Sequence, residues 1–491
     1  MNCWVLVCVV VVVIGWFWYK NKKMKAVEIE KRSGGVIPKG SLGWPLIGET
    51  LEFIACGYTS KPVSFMDKRK LLYGNVFKTN ILGTPIIVST DPEVNKVVLQ
   101  NHGNAFVPAY PKSITELLGR NSILQMNGNL QKRLHALVGG FLRSPQFKAR
   151  ITRDIEDSVK LTLASWKDMH RILVQDETKK ITFSILVQVL MSVGPGEDLD
   201  FIKREFEEFI KALICIPVKL PGTRLYKSLK AKERLLKIVR KIVEQRKIAM
   251  DDVYSGEAND AVEVLLRESN GDGNEKLSLT VDEISDHIIE MMIPGEETLP
   301  TAMSIAVKFL TDSPVVLTKL MEENMELRRQ KTESGDDYSW IDYMSLPFTQ
   351  NVISETLRMA NIINGVWRKA LKDVQVKGYL IPQGWCVLSA FISVHMGEEY
   401  YANPYQFDPW RWEKNRAVAN NNNFTPFGGG QRLCPGLELS RLELSIFLHH
   451  LVTSYSWVAE NDEIVYFPTV KMKRKLPIIV KTIQDKINSS Q

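Results

Sequence analysis

Helical periodicity dominates the pattern of apolar and polar positions along this chain. Apolar residues recur three and four positions apart over long stretches, which is the spacing that buries one face of an amphipathic helix. The pattern predicts helices over Pro92–Asn101, Leu130–Arg143, Arg150–Ser165, Asp200–Ile214, Ser228–Asp251, Val281–Thr311, Val315–Lys331 and Pro347–Ala360, and from Leu437 onward.

Strand patterns are few and short. The stretch Asn75–Thr90 has strand-forming residues on both sides of a Gly-Thr-Pro turn, which predicts a β-hairpin. Leu371–Ala390 and Tyr455–Lys481 are also rich in strand-forming residues and are broken by glycine and proline. The sequence therefore predicts a mainly α protein with small β-sheets, with polar connections at residues 256–277 and 415–423.

The chain begins with an uncharged, largely apolar run, Trp4–Tyr19, followed by Lys20, Lys22, Lys23 and Lys25. As one transmembrane helix this run would cover about 24 Å, close to the thinner bilayer of the endoplasmic reticulum. A cleaved signal peptide is the alternative, but the run lacks a basic segment before it and an Ala-x-Ala site before the lysines. Because the lysines follow the span, we expect a single-pass anchor in the endoplasmic reticulum membrane with the body in the cytosol.

Three parts follow from this layout. Residues 1–25 are predicted to be the membrane anchor with its basic flank, residues 26–48 a proline-rich hinge, and residues 49–491 the folded body of the protein. The hinge carries Pro38, Pro45 and several glycines, a composition typical of a stiff, turn-rich linker.

Composition and charge narrow the classes of partner. The chain has 491 residues, of which 45% are hydrophobic, and a net charge of +7 without a basic run interleaved with aromatic residues. Nucleic acid is therefore a poor partner, whereas a mildly basic face suits an acidic protein or a membrane surface. The six cysteines are scattered without the spacing of a disulfide framework, which fits a reducing compartment.

The most specific chemical motif is Phe427–Gly436, Phe-Gly-Gly-Gly-Gln-Arg-Leu-Cys-Pro-Gly. Its glycines allow tight turns and a close approach to a flat ligand. Cys434 stands just before a predicted helix, whose amides and dipole are expected to lower the pKa of the thiol and favour a thiolate ligand for iron. A free cysteine in a glycine-rich turn is the alternative. Zinc is disfavoured because no second cysteine or histidine lies at ligand spacing.

The spacing Phe-x-x-Gly-x-Arg-x-Cys-x-Gly resembles the haem-binding signature of the cytochrome P450 monooxygenases, and every fixed position is met. The resemblance implies the cytochrome P450 fold, haem b (iron protoporphyrin IX) as cofactor and Cys434 as the axial metal ligand. It further implies that Phe427 shields the sulfur, that Arg432 faces a haem propionate and that Gly436 belongs to the cofactor-binding stretch.

The long helix predicted over Val281–Thr311 carries a second candidate site. Thr280 and Glu283 have the spacing of a capping box at its start. Pro294 and Pro300 each remove a backbone donor inside the helix, so we expect the helix to bend between them.

A segment at this expected bend, Gly295-Glu296-Glu297-Thr298, resembles the oxygen-activation motif of the same family. The resemblance implies catalytic roles in proton delivery for Glu297, as the acid, and for Thr298, as the alcohol. Pro294 and Leu299 depart from the family's pattern. A solvated pair of glutamates beside an ordinary proline kink is the alternative.

Glu355 and Arg358 lie three residues apart, so they share one face of the helix that begins near Pro347. Alone, they are consistent with a surface ion pair. Together with Phe407–Trp412 they resemble the family's Glu-x-x-Arg and Phe-x-Pro-x-Arg-Phe elements, with Trp412 in place of the final Phe. The resemblance implies that Glu355, Arg358 and Arg411 form a buried ionic cluster that supports the cofactor-binding loop.

Two further residues are candidates for contact with a haem propionate. Gln131 and His135 occupy the place of the family's Trp-x-x-x-Arg helix and replace both of its named residues. His135 could still donate to a propionate, as could Arg368. An ordinary surface or core histidine is the alternative for His135.

The segments Ile293–Pro300, Met359–Ala370 and Phe424–Gly436 resemble the plant steroid 23-hydroxylases of brassinosteroid biosynthesis. The resemblance implies hydroxylation at C-23 of 22-hydroxylated campestane-type steroids, with O2 and with electrons from NADPH through NADPH-cytochrome P450 reductase. The expected partners are thus this reductase, a sterol, O2 and a membrane. By family position, the substrate contacts come from Phe106–Leu124, Asn361–Trp367 and Val465–Val470.

Other functions remain open at this point. The chain could hydroxylate another position of a plant sterol, or be a haem-thiolate isomerase or dehydratase that needs neither oxygen nor electrons. Retention of Glu297 and Thr298 argues against the isomerase or dehydratase. A non-catalytic haem or sterol carrier is a further possibility.

Overall fold

The computed structural model describes residues 34–483, apart from residues 46, 82, 102, 120, 253–256, 271–278 and 415–421. The anchor predicted at residues 1–25 lies outside the described residues, as does the first part of the predicted hinge. In the part of the chain that is described, no helix combines the length and apolar character needed to cross a membrane.

Helices make up most of the described chain. In chain order they are α1 (Thr50–Cys56), α2 (Ser64–Tyr73), α3 (Pro92–Gln100), α4 (Lys112–Leu118), α5 (Asn129–Arg143), α6 (Pro145–Ala164), α7 (Val174–Met191), α8 (Glu197–Ile210), α9 (Arg224–Asp252), α10 (Ala261–Asn270), α11 (Val281–Asp312), α12 (Pro314–Ser334), α13 (Trp340–Met344), α14 (Pro347–Ala360), α15 (Phe391–His395), α16 (Arg411–Lys414) and α17 (Leu437–Ser454).

Four small sheets complete the fold described here. The strands are β1 (Val76–Ile81), β2 (Thr84–Ser89), β3 (Phe106–Pro108), β4 (Arg171–Leu173), β5 (Val366–Ala370), β6 (Val374–Val376), β7 (Tyr379–Ile381), β8 (Cys386–Ser389), β9 (Tyr455–Ala459), β10 (Ile464–Val465), β11 (Lys471–Met472) and β12 (Pro477–Thr482). The largest sheet has the order β1-β2-β8-β5-β3, in which only β2 and β8 are parallel. The others are β4-β12-β9, β6-β7 and β10-β11.

These elements confirm the predicted fold class. The hairpin predicted over Asn75–Thr90 is β1-β2, with Val76 opposite Ser89. Each predicted helix is present, with ends shifted by five residues or fewer. The polar connection predicted at residues 256–277 is wrong in part, because α10 lies within it and buries Val262 and Leu265. Helix α7 was not predicted, and its burial explains why. Buried side chains occur around most of its circumference, so its sequence lacks the polar stripe that reveals an amphipathic helix.

Helix α11 is the central element because its two halves belong to two different hydrophobic cores. Its first half contributes Ile284, Ile288 and Met292 to a core shared with α7 to α10. The second half, from Leu299 to Leu310, packs into the core formed with α6, α7, α14 and α17. The segment predicted to carry the catalytic acid and alcohol therefore lies where one core gives way to the other.

The start of α11 confirms the predicted capping box. The amide of Glu283 donates to the Thr280 hydroxyl at 3.2 Å, and the Thr280 amide donates to the Glu283 carboxylate at 2.9 Å. The helix continues through both Pro294 and Pro300 as one α-helical element. The prolines therefore remove individual hydrogen bonds without ending the helix, because the packing on both sides holds its backbone.

Candidate active site

The loop that carries Cys434 is a closed turn packed on α3. The Cys434 amide donates to the Phe427 carbonyl at 3.1 Å, so the two ends of the turn meet. Gly430 has φ +65°, and a side-chain carbon on it would lie 2.3 Å from the Leu99 carbonyl oxygen. Only glycine combines that φ with this close approach. Helix α17 starts at Leu437, just behind the turn, as predicted.

Burial controls the pKa of the Cys434 thiol. Desolvation raises this pKa above its ordinary value, and a hydrogen bond from the Gly436 amide lowers it by less. The amide acts in the expected direction, but desolvation of the charged sulfur is the larger effect. A thiolate here needs a positive partner such as a metal ion.

Two guanidiniums, the buried Arg368 and the half-buried Arg432, lie close enough to influence each other. Burial lowers the pKa of Arg432 to about 10; Tyr110 opposes this shift and Arg368 adds to it. Burial likewise lowers the pKa of Arg368, which is 7% exposed. Within the described part of the chain, Arg368 Nε has no hydrogen-bond partner. Together these two side chains form a site suited to anionic groups.

Helix α5 contributes His135 to the cysteine loop. Its Nε2 lies 2.7 Å from the carbonyl oxygen of Leu433, the residue before Cys434, so this nitrogen is the one that donates. Burial lowers the pKa of His135, which favours the neutral ring. Gln131, one turn earlier on α5, is 2% exposed, and its Oε1 lacks a hydrogen-bond partner among the described residues. His135 therefore supports the loop from the side that faces α5.

The residues present fit a haem group. In the described part of the chain, no cluster of three or more His, Cys, Asp or Glu side chains could hold a metal ion, so most ligands of a metal at Cys434 would come from a non-protein group. Iron protoporphyrin supplies four nitrogen ligands and carries two propionates. Arg368, which is buried, and Arg432, which is half-buried, offer two cations for those carboxylates, and Cys434 offers one sulfur.

The acids of α11 share one lysine. Lys179 Nζ on α7 lies 3.1 Å from Glu296 and 3.9 Å from Glu297. Glu296 is buried, and burial raises its pKa, whereas the side chain of Glu297 is 50% exposed. Thr298 donates its hydroxyl to the Pro294 carbonyl at 2.6 Å, the carbonyl one turn earlier. The side chain of Glu297 is thus accessible and the Thr298 hydroxyl is held against the helix backbone, while the catalytic roles that the resemblance implies for them stay a prediction.

The predicted ionic cluster is present and is buried at its centre. Glu355 and Arg358 are both 0% exposed and form a bidentate pair at 2.8 and 2.9 Å. Arg411 Nε donates to the same carboxylate at 2.9 Å, and so does the Trp412 indole at 3.0 Å. The departure from Phe to Trp at position 412 thus adds a donor for Glu355. These contacts make the cluster a scaffold that joins α14 to α16.

A buried histidine that the sequence motifs did not indicate completes this scaffold. The Thr425 amide donates to His395 Nε2 at 3.0 Å, so Nδ1 carries the proton and donates to Asn361 Oδ1 at 2.8 Å. Burial, together with the charge of Arg358, lowers the pKa of His395 to about 3, so the ring stays neutral. His395 therefore links the end of α14 to the start of the cysteine loop.

Known proteins share both the sequence and the fold of this chain. The family model described as Cytochrome P450 matches residues 38–481. The chain is 69% identical to 3-epi-6-deoxocathasterone 23-monooxygenase CYP90C1 of Arabidopsis thaliana over 477 residues, which cover 96% of this chain and 90% of that protein. It is 51% identical to 3-epi-6-deoxocathasterone 23-monooxygenase CYP90D1 of the same plant over 469 residues, covering 94% of this chain and 93% of that one.

A solved structure extends the likeness to three dimensions. The retinoic acid-bound cyanobacterial CYP120A1 superposes with a TM-score of 0.78 at 25% sequence identity. The match covers 91% of this chain and 100% of that one. The arrangement of helices and small sheets described above is therefore shared well beyond plant proteins.

Proposed function

Because the chain belongs to the cytochrome P450 family of haem-thiolate monooxygenases, we propose that it hydroxylates C-23 in the side chain of a sterol already hydroxylated at C-22. The observation that carries this proposal is the 69% identity, over 96% of the chain, to a 3-epi-6-deoxocathasterone 23-monooxygenase. A campestane-type steroid, one molecule of O2, two electrons from NADPH and two protons would yield the 23-hydroxysteroid and one water, with one oxygen atom of O2 entering each product. A flavoprotein NADPH-cytochrome P450 reductase would deliver the electrons.

Several side chains would hold the cofactor. Cys434 would bind the iron through its sulfur, and Arg368 and Arg432 would neutralise the propionates. His135 would hold the Leu433 carbonyl and so the backbone next to Cys434. When bound with a thiolate ligand, haem activates dioxygen for insertion into a C–H bond.

Proton delivery would fall to the segment around Thr298 on α11. The Thr298 hydroxyl, whose proton is donated to the Pro294 carbonyl in this structure, would turn away from that carbonyl to donate from its Oγ1 atom. Glu297, half exposed and within 3.9 Å of Lys179, would return the proton to that hydroxyl from solvent. The presence of both groups supports an oxygen-dependent reaction over an isomerisation, which needs no proton relay to oxygen.

Selectivity between sterols would come from a polar contact with the C-22 hydroxyl. A rigid sterol must bring C-23 into near contact with the reacting centre, so the pocket has to orient the side chain inward. A site built to hydrogen-bond a substrate hydroxyl rejects an analogue that lacks it by up to about 10⁴-fold, because the polar groups of the site are left unpaired. We therefore expect little activity on campesterol, which has no C-22 hydroxyl.

The test is product identification with the purified enzyme, reductase and NADPH. A 22-hydroxylated campestane steroid and campesterol are incubated in parallel and the products are identified by mass spectrometry. The proposal predicts a 23-hydroxylated product from the first and little from the second, and none without NADPH. A ring-hydroxylated product, equal turnover of both sterols, or conversion without NADPH would each overturn it.

A membrane location is part of the same proposal. The apolar run Trp4–Tyr19 and the lysines behind it support a single-pass anchor in the endoplasmic reticulum, with the body in the cytosol. Near the predicted hinge, the body exposes large apolar side chains: Trp44 is 79% exposed and Leu51 is 70% exposed. Such a patch is suited to a lipid surface, from which a sterol would enter.

Carbonate extraction of microsomes tests the anchor. The full chain should stay in the membrane, and a variant without residues 1–25 should be released in large part, because the apolar patch alone binds weakly. Adding Trp44→Ser and Leu51→Ser to the truncated variant should release the remainder. If the truncated variant resists extraction as fully as the whole chain does, residues 1–25 are not the anchor.

A further inference from the structure

Glu290 is a buried carboxylate on α11 with no role in the site described above. It is 1% exposed and lies two turns before Thr298. Its Oε2 accepts a hydrogen bond from the Ile123 amide at 2.8 Å, across 167 residues of sequence. The Ser122 side chain also hydrogen-bonds to this carboxylate. In the described part of the chain Oε1 has no hydrogen-bond partner, so the protein keeps a costly buried group here.

Burial dominates the pKa of Glu290, and removal of its side chain would leave other buried groups without a partner. Burial raises the pKa of Glu290 to about 7, although the hydrogen bonds from Ser122 and Ile123 and the nearby charge of Lys232 lower it. Removing such a side chain leaves the Ile123 amide and the Ser122 hydroxyl without their acceptor. Each lost hydrogen bond inside the protein carries a desolvation cost.

A second contact holds the beginning of the loop that contains Ser122 and Ile123. Lys232 on α9 donates to the Leu118 carbonyl at 3.1 Å, at the end of α4. Its Nζ also lies 2.8 Å from Asp286, which precedes Glu290 by one turn on α11. Helix α11 therefore holds the segment from Leu118 to Ile123 at two points, directly through Glu290 and through Lys232 and Asp286.

The other side of this loop holds the arginine of the cysteine motif. The carbonyls of Leu124 and Met126 accept hydrogen bonds from the two terminal nitrogens of Arg432, the first at 2.9 Å. Between these two sets of contacts the loop is a compact turn, because the Met126 amide donates to the Ser122 carbonyl at 2.8 Å. A shift at Ile123 is therefore transmitted to the carbonyls that orient Arg432.

We propose that Glu290 is a positioning residue for the cofactor-binding arginine: through the turn Ser122–Met126, it fixes the guanidinium of Arg432 beside Cys434. The chain of contacts runs from the Glu290 carboxylate to the Ile123 amide, through the turn to the Leu124 and Met126 carbonyls, and on to Arg432. One buried carboxylate thus fixes the position of helix α11, which carries Thr298, relative to the loop that carries Cys434.

Hydrogen–deuterium exchange on the haem-loaded full chain tests the first link. In Glu290→Ala, the amides of residues 121–127 should exchange about tenfold faster, the change expected for the loss of one hydrogen bond. Glu290→Gln keeps an acceptor for the Ile123 amide and should restore most of the protection. Glu263→Ala is the matched control. Glu263, on α10, is fully buried and accepts a hydrogen bond from the Asn259 amide at 2.8 Å. It should leave residues 121–127 unchanged.

Haem release to a scavenger protein tests the link to Arg432. Glu290→Ala and Arg432→Ala should each speed release, and the double variant should release haem no faster than Arg432→Ala alone, because both act through one guanidinium. Glu290→Gln should release haem at nearly the wild-type rate. Unchanged exchange at residues 121–127, additive effects on release, or wild-type release in Glu290→Ala would each overturn the proposal. If Glu290→Ala does not fold, Ser122→Ala removes one donor to the carboxylate and should give the same pattern with smaller changes.

Discussion

At the scale of single residues, the hydroxyl of Thr298 is held in one orientation by the Pro294 carbonyl. Pro294 has no amide proton and therefore cannot donate to the Glu290 carbonyl, its usual helical acceptor. Proton delivery would require this hydroxyl to release the carbonyl and a nearby acid to resupply its proton, a role for which the half-exposed Glu297 is available. The sequence motif indicated the acid and the alcohol, but not that Lys179 lies between the two glutamates.

Replacing Thr298 should uncouple NADPH consumption from product formation. In Thr298→Ala we expect NADPH consumption to continue while the 23-hydroxylated product falls and hydrogen peroxide rises, because the ordered proton donor is gone. The three quantities are measured in one assay with reductase. Thr301→Ala, one turn further along the same helix, is the control and should keep product and NADPH consumption in step. Unaltered coupling in Thr298→Ala would move the role to Glu297 or to water.

Glu443 on α17 is expected to make the stability of the protein depend on pH. It is 4% exposed, and burial raises its pKa to about 8, so the folded protein holds a proton that the unfolded chain releases near the ordinary value of 4.5. Its contribution to stability is therefore present at acidic pH and is lost as the pH rises toward 8. The full loss would be at most about 5 kcal/mol.

The variant Glu443→Gln removes this dependence. Its melting temperature should match that of the wild type at about pH 5 and exceed it at about pH 9, because an amide, unlike the carboxyl group, carries no charge inside the protein at either pH. Thermal unfolding at both pH values measures the difference. A melting temperature difference that stays constant with pH would show that Glu443 does not titrate in this way.

At the scale of elements, the cluster of Glu355, Arg358 and Arg411 ties α14 to the segment before the cysteine loop. Arg358 also donates to the carbonyls of His395 and Pro404, at 2.7 and 2.8 Å, so one guanidinium joins three stretches of chain. The Glu-x-x-Arg pattern predicted the pair because its spacing is local. The carbonyl contacts depend on how distant segments pack, and no local pattern encodes them.

Removing Arg358 should therefore cost stability. In Arg358→Ala, Glu355 stays buried with fewer partners, and we expect a loss of about 3 to 5 kcal/mol together with poor haem retention. Arg329→Ala is the matched control. Arg329 pairs with Glu326 and Glu333 on the exposed face of α12, where solvent screens the charges and such pairs contribute little to stability. Denaturant unfolding compares the two, and equal losses would show that the Glu355 cluster contributes no more than a surface pair.

Local sequence patterns predicted some features of helix α11 and not others. Its apolar period and capping box predicted its first residue correctly, because both are local properties. The bend expected at its two prolines stays a prediction, and the helix is continuous through both because it packs against two cores. Helix α7 was missed for the related reason that burial around most of its circumference removes the polar face.

At the scale of the whole molecule, the candidate site draws on segments far apart in sequence. Cys434 and its loop meet α5 through His135, α3 through Leu99 and the turn Ser122–Met126 through Arg432. Motifs predicted the residues with fixed local spacing, such as Cys434 and Thr298. They missed Glu290 and His395, whose partners are supplied only by the tertiary fold, and nothing in their local sequence distinguishes them from ordinary core residues.

The central claim is that this fold presents Cys434 as the thiolate ligand of a haem, and the carbon monoxide difference spectrum of the reduced protein tests it most directly. The account predicts a thiolate-type spectrum for the wild type and for Cys386→Ala, a control that removes another partly buried thiol. Cys434→Ala and Cys434→His should both lose that spectrum, the latter even where haem is retained through the imidazole. A Cys434 variant that kept the thiolate-type spectrum would contradict the account.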